Sequence, residues 1–129
     1  MEERITDCGG YSTFLMSLLQ SAGIPTRLVS GFIIKDNLYT KLLSGFELGT
    51  WNFELLFMHA WLEAQLPDKS WFPMDPAVEW RRLHGLTTRA GGFGFIPADR
   101  LVVSYGHDFN IKLKNKTYKI DLLQKPIFI

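Results

Sequence analysis

The spacing of hydrophobic and polar positions near the start of the chain predicts a helix followed by a strand. From Cys8 to Ala22, apolar side chains recur at the three- to four-residue spacing of one face of an α-helix. Gly23 and Pro25 come next, and a helix commonly ends at a glycine with a proline soon after it. The stretch from Thr26 to Ile34 (TRLVSGFII) is apolar and rich in β-branched residues, which predicts a strand.

A second strand and a hairpin are predicted in the middle of the chain. Apolar and polar positions alternate from Leu55 to Leu66, which is typical of a strand. The residues PDKS at 67–70 predict a turn, after which Trp71 to Met74 returns antiparallel to the preceding strand. In a hairpin that closes there, the numbers of paired residues sum to about 136. Asp75 would then lie within about two positions of the residue opposite His59.

The rest of the chain is divided into irregular segments and short strands. We predict a long loop at 35–52 and irregular structure from Pro76 to Ala98. The second segment contains AGGFGFIP, which lacks the flanking strand and helix of a phosphate-binding loop and is expected to be a flexible loop. One helix followed by an antiparallel sheet defines an α+β fold. Three more strands are predicted at Leu101–Tyr105, Phe109–Leu113 and Thr117–Leu122, with a hairpin turn at 114–116.

Length and composition are those of a single globular domain, 1–129. The chain has 129 residues, 47% of them hydrophobic, which is enough for a buried core. Its net charge is +1, which argues against a nucleic-acid-binding protein. No apolar stretch reaches the roughly 20 residues that a membrane span needs, and the first residues do not form a signal peptide. The compartment is left open, with the cytoplasm as the default.

Cys8 is the only cysteine in the chain, so no intrachain disulfide can form. It stands at the predicted helix start, where Asp7 is placed to act as a cap. The N-terminus of a helix stabilises a thiolate, which is the nucleophilic form of cysteine. Gly9 and Gly10 leave open space beside the sulfur, although each costs the helix about 1 kcal/mol relative to alanine. The alternative is a core cysteine, since free cysteines are among the most buried residues.

His59 and Asp75 supply two further groups that nucleophilic acyl transfer requires. A histidine on a strand beside the helix start can act as the base for Cys8. Asp75 can accept the Nδ1 proton of that histidine, fix its tautomer and stabilise the imidazolium. The alternatives are an ordinary core or surface histidine and an aspartate that ends a strand before Pro76. The order of thiol, histidine and carboxylate nevertheless predicts a Cys–His–Asp triad.

Two segments resemble a known family. The sequences DCGGYSTFLMSLLQSAGIPTRLVSGF and HAWLEAQLPDKSWFPMDPA resemble the transglutaminase-like superfamily of papain-like thiol enzymes, over about residues 7–77. The later YGHDFNIKL is similar to the strand segment that follows in bacterial members. The resemblance implies a helix packed on antiparallel strands. It also implies Cys8 as nucleophile, His59 as general base and acid, and Asp75 as the acid that orients the histidine.

Other expectations concern the borders of the site and the partners. We expect Gly9, Gly10 and Trp80 to contact substrate, and Trp61 to be mostly core and to face away from His59. No cofactor is expected, and a single cysteine without paired ligand spacing argues against zinc. Family members carry a helical segment before the nucleophile. Its absence from this sequence predicts a fragment or truncated form, reduced activity, and self-association through an uncovered apolar face.

Three functions remain open from the sequence. The first is a thiol hydrolase that cleaves a peptide or amide bond in a peptide or protein substrate. The second is the same acyl-enzyme resolved by an amine, as in protein cross-linking by transglutaminases. The third is a non-catalytic interaction domain that keeps the fold. We favour hydrolysis because the chain shows no acidic cluster of the kind that binds calcium in the cross-linking enzymes.

Overall fold

A computed structural model of the protein describes residues 8–34 and 56–121, and these confirm the α+β class. The predicted loop at 35–52 and the cap at Asp7 lie outside the described residues. The elements are, in order, α1 (Cys8–Ser21), β1 (Thr26–Ile34), β2 (Leu56–Gln65), β3 (Trp71–Met74), α2 (Pro76–Leu83), β4 (Arg100–Tyr105), β5 (Phe109–Leu113) and β6 (Lys116–Ile120).

Helix α1 begins at Cys8 and ends at Ser21, as its periodicity predicts. After the last turn, the Ile24 N–H donates a hydrogen bond to the Leu19 carbonyl at 2.9 Å. Gly23 has a φ of +79°, a left-handed value that glycine adopts without the steric cost of a side chain. The sequence Gly-Ile-Pro therefore ends the helix and leads directly into β1.

Strands β1 to β4 form an antiparallel sheet in the order β3-β2-β1-β4. In β1 and β2, Gly31 lies opposite His59. In β2 and β3, Leu62 lies opposite Met74, and their numbers sum to 136, so the predicted register is confirmed. Asp75 follows the last paired residue of β3 and is thereby held beside the strand that carries His59.

The core is formed where α1 packs against the sheet. Leu15 and Leu19 of the helix cover it from one side. At the start of α1, the Ser12 hydroxyl donates to the Ala60 carbonyl at 3.2 Å, which fixes this end of the helix on β2. The apolar residues buried at the centre come from the helix and three strands, and they are Met16, Leu28, Leu62, Ala64 and Met74.

Helix α2 corrects the sequence analysis, which predicted irregular structure from Pro76 to Ala98. Asp75 caps this helix, because its Oδ1 accepts a hydrogen bond from the Val78 N–H at 3.1 Å. Pro76 lies in the first turn, where its missing N–H costs nothing and its fixed φ suits a helix. The Asp-Pro pair both follows a strand and begins a helix, and the prediction recognised only the first role.

The glycine-rich segment after α2 is irregular, as predicted, but hydrogen bonds attach it to the end of β3. The Asp75 N–H donates to the Gly92 carbonyl at 2.8 Å, and the Gly94 N–H donates to the Pro73 carbonyl at 2.8 Å. Phe93, between them, forms a bridge with Met74. These contacts hold the backbone of Asp75 from the side opposite to the helix that it caps.

Strands β5 and β6 form a separate two-stranded sheet. They pair from Phe109 opposite Ile120 to Leu113 opposite Lys116, which confirms the predicted hairpin. The turn contains Lys114 at a φ of +53°. Most side chains of this hairpin are exposed, so it adds little to the core.

Candidate active site

Cys8 is the first residue of α1, and its side chain is partly exposed rather than fully buried. The thiol therefore lies at the helix start, where the partial positive charge of the helix dipole stabilises a negative charge. The side chains of Cys8 and His59 are hydrogen-bonded to each other. The structure thus brings together two residues that lie 51 positions apart in the sequence.

His59 and Asp75 form a buried hydrogen bond. The distance from His59 Nε2 to Asp75 Oδ2 is 2.7 Å, and the two residues are 6% and 0% exposed. The sequence analysis expected the carboxylate at Nδ1, and this is wrong, because the ring presents Nε2 to Asp75. Nδ1 is consequently the ring nitrogen left for the Cys8 thiol. The reversal does not change the chemistry, since one nitrogen still contacts the acid while the other serves the nucleophile.

The ionisation of this pair is governed by contacts that outweigh burial. Burial by itself lowers the pKa of His59, but hydrogen bonds to Asp75 and Cys8, together with their charges, raise it above the ordinary value. Burial by itself raises the pKa of Asp75, but its contacts with His59 and Arg100 lower it below the ordinary value. Both directions favour an imidazolium facing a carboxylate.

Arg100 is a site residue that the sequence analysis missed. It begins β4, and its Nη1 donates to Asp75 Oδ2 at 2.7 Å. Its side chain is only 3% exposed. Its Nε also donates to Asp99 Oδ1 at 3.1 Å. The sequence carried no signal for this contact, because it depends on how β4 pairs with β1, and local pattern does not specify that pairing.

Trp61 lies beside this cluster. It is 2% exposed, so the prediction that it belongs to the core is confirmed. The prediction that it faces away from His59 is wrong, because residues two apart on a strand share a face. The rings of His59 and Trp61 stack at a centroid distance of 6.2 Å, and the Arg100 guanidinium lies 5.1 Å from the Trp61 ring. The indole therefore packs against both the His59 ring and the Arg100 guanidinium.

Trp80 lies on α2, the helix that Asp75 caps. It is 37% exposed and stacks against Tyr11 of α1, with the ring centroids 6.1 Å apart. Its other contact is His84, whose ring centroid lies 4.2 Å away. Gly9 and Gly10 occupy the first turn of α1 and are partly buried. Substrate contact by these three residues stays a prediction.

Metal ligation and membrane spanning have no support in the described parts of the chain. Within residues 8–34 and 56–121, no group of three or more His, Cys, Asp or Glu side chains is arranged to hold a metal ion. In the same residues, no helix is both long and apolar enough to cross a membrane.

A thiol at a helix start, hydrogen-bonded to a histidine that in turn contacts a buried aspartate, is the arrangement of a thiol-enzyme type of family. Comparison with known families agrees. The family model of the transglutaminase-like superfamily matches residues 1–76. The match covers more than half of the chain, so this protein belongs to the transglutaminase-like superfamily, as the sequence predicts. The comparisons found no matching curated protein and no matching solved structure.

Proposed function

We propose that this protein is a thiol-dependent acyl-transfer enzyme that hydrolyses a peptide or amide bond. The observation that carries the proposal is the 2.7 Å contact between His59 Nε2 and Asp75 Oδ2, made by a histidine that is also hydrogen-bonded to Cys8. A core histidine needs one satisfied partner, and a surface thiol needs none. A partly exposed thiol followed by a buried histidine and a buried carboxylate is the order of groups that activates a nucleophile.

In the first step, the Cys8 thiolate attacks the substrate carbonyl carbon and forms a carbon–sulfur bond. The resulting tetrahedral intermediate collapses as the carbon–nitrogen bond breaks. The His59 imidazolium gives its proton to the leaving amine, which departs neutral, and a thioester remains on Cys8. Asp75 stays ionised throughout, holds the ring by Nε2 and stabilises its charged form.

In the second step, water attacks the thioester. Neutral His59 takes a proton from the water, a carbon–oxygen bond forms, and the carbon–sulfur bond breaks to release the acid. The departing Cys8 thiolate and the newly protonated His59 are the thiolate–imidazolium pair of the resting site. An amine that enters in place of water would give amine transfer instead, with the same residues in the same roles.

The start of α1 is suited to stabilise the oxyanion that forms in both steps. The backbone N–H of Cys8 lies in the first turn of α1, and the partial positive charge of a helix start favours an anion. Gly9 and Gly10 add no side chain that would block a substrate carbonyl. In this proposal, Trp80 lines the entry groove, where its exposed face contacts the substrate chain.

The test is the pH dependence of Cys8 alkylation by iodoacetamide, in the wild type and in His59→Ala. We expect a midpoint well below the free-thiol pKa of about 8.5, rising toward that value in the variant. Since Cys8 is the only cysteine, Cys8→Ala is the control that must not label. An ordinary midpoint that is indifferent to His59 would refute the proposal. Peptide amides, offered with and without a primary amine, then separate hydrolysis from amine transfer.

A further inference from the structure

We propose that Arg100 is a positioning residue of this site, which acts through Asp75 to hold the acid ionised and in place. The inference rests on the proposed function, because it assigns a fourth charged group to the same triad. Arg100 lies beyond residues 1–76, which the family model matches, so the assignment comes from the contacts of this chain alone.

The two partners of Asp75 meet at a single oxygen. Asp75 Oδ2 lies 2.7 Å from His59 Nε2 and 2.7 Å from Arg100 Nη1. The other oxygen, Oδ1, accepts from the Val78 N–H. The carboxylate is therefore held by three donors, which fix its plane. Of these donors, only Arg100 carries a permanent positive charge.

Arg100 reaches Asp75 from the far side of the sheet. Asp75 follows β3 and Arg100 begins β4, and these are the two outer strands of the order β3-β2-β1-β4. The guanidinium lies across the buried Trp61 ring on the way. The Arg100 and Asp75 side chains therefore meet although their strands lie at opposite edges of the sheet.

The arrangement is not explained by stability. Burying an ion pair removes both charges from water, and the cost commonly cancels the attraction. Here the Arg100 Nη2 is also buried without a hydrogen-bond partner among the described residues, which adds to the cost. An apolar pair of similar size would be at least as stable. What the arginine provides is charge balance in the reactive state.

The proposed role of Arg100 follows from the formal charges of the groups in the site. With Cys8 as thiolate and His59 as imidazolium, the triad including Asp75 carries a net charge of minus one in a largely buried site. The guanidinium of Arg100 brings the four groups to zero. Asp99, which also contacts Arg100, is paired with Arg89, so these two charges cancel each other. Without it, a further negative charge on Cys8 is disfavoured, so the thiol ionises at a higher pH.

The experiment compares the alkylation midpoint of Cys8 in the wild type, Arg100→Gln, Arg100→Lys and Arg27→Gln, with His59→Ala as the reference for an unassisted thiol. Glutamine keeps one N–H donor for Asp75 but loses the charge, whereas lysine keeps the charge. Arg27 is the matched control, since it also pairs with a carboxylate and an aromatic ring on this sheet but does not touch the triad. Circular dichroism confirms that each variant is folded.

We expect Arg100→Gln to raise the midpoint by about one pH unit, which lowers the alkylation rate about tenfold at pH values below both midpoints. Arg100→Lys and Arg27→Gln should stay near the wild type. Equal midpoints for Arg100→Gln and Arg27→Gln would overturn the inference while leaving the proposed function intact. Equal midpoints for wild type and His59→Ala would overturn both. If Arg100→Gln does not fold, Arg100→Met takes its place, since it also removes the charge: a midpoint raised above that of Arg100→Lys supports the inference, and a midpoint equal to the wild type refutes it.

Discussion

Two arginine–carboxylate pairs on the same sheet differ in burial and in the other groups that each carboxylate contacts. Arg27 pairs with Glu63 at 2.6 Å, with side chains 30% and 17% exposed. Arg100 pairs with Asp75 at 2.7 Å, with side chains 3% and 0% exposed. Both guanidinium groups lie against aromatic rings. The first arginine is held between two rings, Trp71 and Tyr105, each 4.0 Å away.

The difference lies in what else each carboxylate touches. Among the described residues, the Glu63 carboxylate pairs with Arg27, and this pair joins β1 to β2. Asp75 binds Arg100, His59 and a helix N–H at once. The distance between the charged atoms is nearly the same in both pairs, so the distinguishing features are the burial of the pair and the sharing of the carboxylate.

The largest expected effect is on stability when each acid is removed. Asp75→Ala should lower the free energy of unfolding by about 3–5 kcal/mol, because it removes the shared acceptor of the buried His59 and Arg100 Nη1 groups and also the cap of α2. Glu63→Ala should cost about 0–1 kcal/mol, since its pair is partly solvated. Urea denaturation of both variants measures the difference. Equal losses would mean that the two pairs are energetically alike.

Gly31→Ala is expected to move β4, which carries Arg100, relative to β1, which carries Arg27. A Cβ at Gly31 would lie 2.0 Å from the Leu101 carbonyl oxygen on β4, so the strands must move apart. We expect a cost of about 2–3 kcal/mol and a raised alkylation midpoint for Cys8, because β4 carries Arg100. Gly23→Ala is the control: its φ of +79° also disfavours alanine, but no atom lies within 4 Å of the added Cβ. An unchanged midpoint in Gly31→Ala would show that the site tolerates movement of β4.

The pH dependence of stability gives a smaller effect that only the buried cluster should show. The lowered pKa of Asp75 stabilises the fold above the ordinary value of 3.8, and this contribution is lost as the pH falls through the folded pKa. The raised pKa of His59 stabilises the fold below 6.5, and this contribution is lost as the pH rises through the folded pKa. Urea midpoints measured across this range should therefore decline on both sides. His59→Gln should abolish the alkaline decline, while Glu63→Gln should retain it.

The smallest effect is expected from removing the Tyr105 ring, which lies against the guanidinium of Arg27. Tyr105→Leu removes one of the two aromatic faces against Arg27 and should cost about 0.5–1 kcal/mol in the free energy of unfolding. The alkylation midpoint of Cys8 should not move. A shift in that midpoint would mean that the Arg27–Glu63 pair is coupled to Cys8, as the Arg100–Asp75 pair is expected to be.

The sequence was sufficient where neighbours in the chain determine structure. The helix from Cys8, both strands of the first hairpin and the register that brings Asp75 to His59 all follow from periodicity and one tight turn. The sequence was not sufficient at Asp75, because this residue both follows a strand and caps a helix, and the pattern indicated only the first role. It also failed at Arg100, because pairing between distant strands is not encoded in local spacing. The orientation of Trp61 could have been predicted from the sequence, since side chains two positions apart on a strand lie on the same face.

Asp75 also links folding to the ionisation of the site. Its Oδ1 caps α2 while its Oδ2 holds His59 and Arg100, so one protonation event weakens a helix end and two charged contacts together. Acid unfolding of this protein should accordingly begin at the junction of β3 and α2 and not at the periphery. Amide hydrogen exchange provides a local readout, because the Val78 N–H should lose protection at a higher pH than the core amides of β2.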